Sequence, residues 1–218
     1  MRSYRSLYHV SSKTGSVMKV LVVTGGIGSG KTSACRFLSD RFGWPVYSAD
    51  RRVKELYMSS PGLLDAVERE LERSFRDGSG AFVPRLLAEV IFADGQALDA
   101  VERLVFPELA DDFNKWKAER SESEYVILES ATILEKPQLK GLGDITLLID
   151  APVEIRVQRA AVRDSASVAD IRKRVASQKM MNDVSSGIKD APVDYVILND
   201  SSVEDLHEKL TEFVKKYL

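Results

Sequence analysis

Gly25-Gly26-Ile27-Gly28-Ser29-Gly30-Lys31-Thr32 fits the pattern G-x-x-x-x-G-K-[ST]. Each residue type in it has a chemical use. The glycines allow positive φ, so the backbone N–H groups turn inward around a phosphate. Gly26, Gly28, Ser29, Gly30, Lys31, Thr32 and Ser33 are therefore the candidate nucleotide-binding residues. Lys31 reaches the β- and γ-oxygens as a compact cation, and the Thr32 hydroxyl can ligate Mg²⁺ held with ATP. A helix starting here points the positive end of its dipole at the same phosphates. Average residue usage gives a chance match on the order of 1% in a chain this long, and the apolar run just before the loop lowers it further.

Transfer of a phosphoryl group needs more than a cradle. A carboxylate must orient the attacking hydroxyl and accept its proton. Asp50 closes Val46-Tyr47-Ser48-Ala49-Asp50 at the carboxyl end of an expected strand, where open α/β sheets bind ligands. The competing reading is a helix N-cap, and the two are compatible. Glu129 ends another apolar run in the same way, either as a carboxylate for water-bound Mg²⁺ or as an ordinary strand-end charge. Asp150 is expected to cap the helix after Pro152. Arg156, Arg159 and Arg163 are spaced three and four apart, on one helix face. Beside the turn Asp164-Ser165-Ala166-Ser167 they read as a lid whose guanidinium groups offset charge on the transferred group, with Arg159 and Arg163 the better candidates. The alternative is a solvated basic face.

Five short, continuous apolar runs must hold these residues: Lys19–Val23, Pro45–Ser48, Tyr125–Leu128, Ile145–Ile149 and Tyr195–Leu198. Continuous rather than alternating apolarity predicts buried parallel strands. Helices are expected at Thr32–Phe42, Pro152–Arg163 and Val203–Tyr217, the last opened by a capping box of Ser201 and Glu204. Between strands two and three lies a long helical stretch. Leu63, Val67, Leu71 and Phe75 recur every four residues, Pro84–Phe92 begins with proline, and a further helix from Gln96 must bend at Pro107. Turns fall at Asp77-Gly78-Ser79-Gly80 and Asp94-Gly95. Strands alternating with helices predict an α/β fold: a five-stranded parallel sheet flanked by helices, with a helical insertion over the active edge and a small lid.

The 218 residues suit one domain, 44% hydrophobic and 29% charged, with a net charge of −2. Such a balance gives no bulk field for a DNA duplex or an anionic membrane, so no nucleic-acid or membrane partner is expected. A single cysteine excludes an internal disulfide framework. No apolar run approaches the roughly 18–20 residues of a spanning helix. Residues 1–17 are basic and Ser-rich but carry no secretion-type apolar stretch; they are expected to be a disordered leader, with the fold starting at Met18 in a cytoplasmic protein. A GTP-binding switch would carry N-K-x-D, which this chain lacks. A small-molecule kinase remains, with a nucleoside or nucleotide kinase and a catalytically silent nucleotide-binding protein as alternatives.

From Met18 to the last helix the chain resembles the dephospho-coenzyme A kinase family of P-loop kinases. The resemblance rests on Thr24 to Thr32; Asp50; Asp77-Gly78 with Arg85 and Ile91-Phe92; Glu129-Ser130-Ala131 with Glu135; Arg159, Arg163-Asp164 and Gln178; and Asp194-Tyr195-Val196-Ile197 with Asn199. It departs at Phe106-Pro107, where the family usually has His-Pro, and at Ser48-Ala49-Asp50, where many members have Asp-Ala-Asp. The resemblance implies that ATP-Mg²⁺ phosphorylates the ribose 3′-hydroxyl of dephospho-coenzyme A, completing coenzyme A synthesis. It implies Asp50, Lys31 and Arg163 as catalytic residues, Asp50, Arg85 and Glu129 around the acceptor, and Asn199 near the adenine. It divides residues 18–218 into a core of 18–50, 123–155 and 176–218, a coenzyme-binding insertion of about 51–122 and a lid of about 156–175.

Overall fold

In the computed structural model, residues 18–136, 139, 141–176, 178 and 193–218 are described. The expected leader lies outside them. Lys19–Thr24 forms β1, Val46–Ser48 β2, Tyr125–Glu129 β3, Ile145–Asp150 β4 and Tyr195–Leu198 β5. All pair in parallel in the order β2-β3-β1-β4-β5. The five expected strands are thus present to within a residue or two. The chain leaves β1 toward β2 on one side and leaves its neighbour β3 toward β4 on the other, so connections diverge at the carboxyl ends of β1 and β3. The crevice opened there is where ligands of such sheets bind.

Alternation along β1 sends its side chains into two different cores. Leu21 and Val23 pack beneath α1 (Lys31–Phe42) and α8 (Val203–Tyr217), with Leu38, Leu206, Leu210 and Phe213. Val20 and Val22 pack on the other face against the long stretch between β2 and β3. That stretch comprises α2 (Ala49–Ser59), α3 (Pro61–Glu70), α4 (Pro84–Ala93) and α5 (Gly95–Ala118). It is therefore more than an insertion over the active edge. Val101, Val105, Leu109 and Phe113 of α5 share one core with Val126 and Leu128 of β3 and so cover this face of the sheet. Tyr47, Arg52 and Asp112 tie α2 to α5: the Tyr47 hydroxyl donates to Asp112 at 2.7 Å, and Arg52 donates twice, also at 2.7 Å. The Arg52 guanidinium holds the Asp112 carboxyl below its ordinary range despite partial burial, and the Tyr47 hydroxyl adds to the effect.

Several local expectations change. α3 stops at Glu70, because Glu72 turns the chain at φ 48, and Phe75 reaches the core from beyond the helix. The Asp77 turn forms as expected, its carboxylate accepting from the Ser79 and Ala81 amides. Asp94 caps α5 rather than closing a free turn, accepting from the Gln96 amide at 2.8 Å, and α5 runs through Pro107. Ser202, not Ser201, caps α8, with its hydroxyl accepting from the Asp205 amide. Asp150 does not cap the next helix; Pro152 occupies that position, and Asp150 remains the last residue of β4. α6 (Val153–Asp164) and α7 (Val168–Ala176) share a small separate core of Val157, Ala160, Ile171 and Val175, against which Ile27 packs. No helix among the described residues is long and apolar enough to cross a membrane.

Candidate active site

The loop between β1 and α1 is held in place by side chains from distant segments. Gly30 is the N-cap of α1 at φ 100, a left-handed position suited to glycine. A Cβ there would lie 2.2 Å from Asn199 Nδ2. That amide donates to the Ser29 carbonyl at 2.7 Å in a buried hydrogen bond. The Ile27 N–H donates to Gln178 Oε1 at 2.8 Å, and the Ser29 N–H to the Gly26 carbonyl at 3.1 Å. No acidic residue sits in the first turn of α1, so the positive end of its dipole is not neutralised locally. Thr24, expected only as part of the motif, and Ser29 are fully buried.

The parallel register brings the carboxylates to this loop. Glu129 is the last residue of β3, level with Val23 and Ser48. The Thr32 hydroxyl donates to Glu129 Oε1 at 2.6 Å. Asp50 lies in the first turn of α2, one element later than the strand end it was expected to close. Its Oδ2 accepts from the Ala131 amide at 3.2 Å. Desolvation raises the Asp50 carboxyl above its ordinary value, and the Glu129 charge adds to this; Lys31 and the Ala131 amide oppose it. A carboxylate so tuned is a stronger base than one in water.

Two cavities meet at these residues. One, of about 600 Å³, is lined by Lys31, Thr32, Ser48, Asp50, Lys54, Glu129, Ala131 and Arg163 among others. The second, of about 450 Å³, is lined by Gly28, Gly30, Lys31, Thr32, Ser33, Arg159, Arg163, Asn199 and Val203 with others. Lys31, Thr32, Arg36 and Arg163 belong to both. The oxygen donors fit a hard cation. The Thr32 hydroxyl keeps a lone pair free while donating to Glu129, and Mg²⁺ needs only one or two protein oxygens besides phosphates and waters.

The arginine stripe divides by depth rather than forming one face. Arg159 lines the second cavity and donates to the Asn199 and Ser201 carbonyls at 2.9 and 3.3 Å. Arg163 borders both cavities and pairs with Asp164, whose carboxyl it holds well below the usual range, helped by Arg174. Arg156 is fully buried beneath the loop, so the basic-face reading does not apply to it. Arg85 is apart from both cavities, exposed and paired with Glu89 at 3.3 Å. Asn199 aims its amide at the loop backbone, with its backbone carbonyl held by Arg159. Sequence reasoning passed over Arg36 and Lys54. Each is four residues beyond an expected site residue, Thr32 and Asp50, and that helical spacing was the signal available.

The sequence profile described as dephospho-CoA kinase matches residues 19–205. The chain is 35% identical to the dephospho-CoA kinase of Porphyromonas gingivalis over 84% of its own length and 86% of that protein's. Against the crystal structure of TT1252 from Thermus thermophilus it has a TM-score of 0.76 at 27% identity, covering 93% of this chain and 99% of that one. Its fold also matches the dephospho-CoA kinase of Campylobacter jejuni, with a TM-score of 0.62 at 19% identity over 90% of this chain and 96% of that one.

Proposed function

The chain belongs to the dephospho-CoA kinase family, and from that premise we propose how its residues perform the ATP-dependent phosphorylation of the ribose 3′-hydroxyl of dephospho-coenzyme A, a step of coenzyme A synthesis in the cytoplasm. The observation that carries the assignment of sites is the meeting of the two cavities at Lys31, Thr32 and Arg163, with Asp50 on only one side. The smaller cavity takes the nucleotide and the larger the acceptor. Loop amides from Gly28 to Ser33 and the Lys31 ammonium hold the β- and γ-phosphates, and Arg159 and Asn199 border the nucleoside end. Thr32 and Glu129 would hold Mg²⁺, which supplies neutralising charge to the phosphate oxygens.

Asp50 orients the 3′-hydroxyl and takes its proton as the oxygen attacks the γ-phosphate in line. Lys31 and Arg163 offset charge on the transferred group. The helices of about 51–122, including Arg85, would hold the coenzyme, and about 156–175 would act as a lid that closes when the acceptor arrives, excluding water that would otherwise hydrolyse ATP. Arg85 must then approach the acceptor when both substrates are bound.

The test is ADP release with and without dephospho-coenzyme A, alongside a panel of nucleosides and nucleoside monophosphates. Release that depends on dephospho-coenzyme A supports the proposal. Turnover with a nucleoside monophosphate in its place would make the chain a nucleotide kinase. ATP binding with no product from any acceptor would make it a silent binding protein.

A further inference from the structure

Arg156 stands in the first half of α6, completely buried, and lines neither cavity. Its Nε, Nη1 and Nη2 have no hydrogen-bond partner among the described residues. Asp150, the carboxylate paired with it, is 3.9 Å away, beyond hydrogen-bond reach. The guanidinium is pressed against the phosphate loop: a Cβ on Gly26 would lie 2.6 Å from Cζ and 2.7 and 2.8 Å from Nη2 and Nη1. A Cβ on Gly28 would lie 2.1 Å from the Arg156 carbonyl oxygen. Side chain and backbone of one residue thus press on two of the loop's glycines. Thr24 Oγ1, at the end of β1, and Ser29 Oγ, on the loop, are likewise buried without a hydrogen-bond partner.

A guanidinium stays charged at any accessible pH, and burying it without hydrogen bonds is costly. The Arg156 charge is thus one that the free protein compensates poorly. Gly28 of the same loop lines the cavity assigned above to a triphosphate, whereas Arg156 lines neither. A charge in contact with that loop and shielded from solvent acts on phosphate oxygens held by the loop with little screening by salt.

We propose that Arg156 is a positioning residue of the nucleotide site: its buried guanidinium, outside the cavities, braces the Gly26–Gly28 arc and supplies positive charge that the ATP phosphates neutralise. The same contacts fix α6, with Arg159 and Arg163, to the loop. The proposal rests on the reading of this loop as a triphosphate site.

The experiment compares R156M, R156Q and R156K with the wild type by calorimetric titration of ATP, ADP and AMP at two salt concentrations, with melting temperatures measured on the same samples. R156M is expected to weaken ATP binding about tenfold or more and ADP binding less, with AMP nearly unchanged and the loss persisting at high salt. Its melting temperature should change little, since the substitution breaks no side-chain hydrogen bond and Asp150, 3.9 Å away, is still in part open to water. R156K should recover part of the lost affinity. An unchanged ratio of ATP to AMP affinity in R156M and R156Q would overturn the proposal. So would a lowered melting temperature with ATP affinity retained, or failure of all three variants to fold, since the guanidinium would then be a structural requirement alone. Failure of the wild type to bind ATP would instead overturn the nucleotide reading itself.

Discussion

At the scale of single residues, function and stability pull Asp50 in opposite directions. Its carboxyl is raised mainly by desolvation, which strengthens it as a base. Asp50→Asn should lower kcat by about 10²-fold or more while ATP affinity is nearly kept, since general-base catalysis is typically worth 10²–10⁴. In the wild type the rate should fall as pH drops through the raised value, and a pH–rate profile checks this. The stability effect has the reverse sign. A folded carboxyl that binds its proton more tightly than the unfolded one loses stability as pH rises through the folded value. Asp50→Asn should therefore melt higher than wild type at pH 7, with the gap closing below the unfolded pKa of about 3.9. Equal kcat in the variant would remove Asp50 from the chemistry.

At the scale of elements, the site depends on how α2 sits against the sheet. Arg52, in the first turn of α2, is locked to Asp112 of α5, with the Tyr47 hydroxyl joining from β2. Asp112→Ala leaves Arg52 and Tyr47 without that acceptor and should cost about 1–3 kcal/mol, read as a lower denaturation midpoint. The Asp112 carboxyl is held low by the folded state, so its contribution is present above the unfolded pKa and lost as pH falls through the folded value. The difference between variant and wild type should therefore shrink in acid. A second junction is Asn199, which joins the end of β5 to the loop backbone at Ser29. Asn199→Ala strands a buried carbonyl and should weaken ATP binding as well as lower the melting temperature, both measurable in one thermal-shift titration.

For the whole molecule, the two cavities make binding and stability one measurement. At about 100 times its Kd, ATP should add about 2.7 kcal/mol. For a chain of this size that corresponds to a rise in Tm of about 5–11 °C, taking about 2–4 °C per kcal/mol. Dephospho-coenzyme A should raise it further if the acceptor cavity closes around it. Chelation of Mg²⁺ should abolish turnover and shrink the ATP-dependent shift without changing the melting temperature of the free protein. A drop in the nucleotide-free Tm on chelation would show a structural metal that the oxygen-donor site of Thr32 and Glu129 does not account for.

Local patterns in the chain determined a good deal about this protein. The phosphate loop, the five parallel strands and the candidate carboxylates Asp50 and Glu129 were all legible, because loop chemistry and buried parallel strands depend on near neighbours and continuous apolar runs. Helix ends were less so: Ser202 rather than Ser201 caps α8, because adjacent serines are chemically equivalent and only the backbone path selects one. Contacts across long separations belonged to the tertiary structure alone. Spacing put Arg156 on one face with Arg159 and Arg163, but a periodicity does not say which part of a face meets the protein interior. Packing of α6 against the loop buried Arg156 and left Arg163 at the junction of two cavities. Ser29 and Asn199, 170 positions apart, make the same point: their hydrogen bond exists only because the sheet places β5 and β1 on either side of β4.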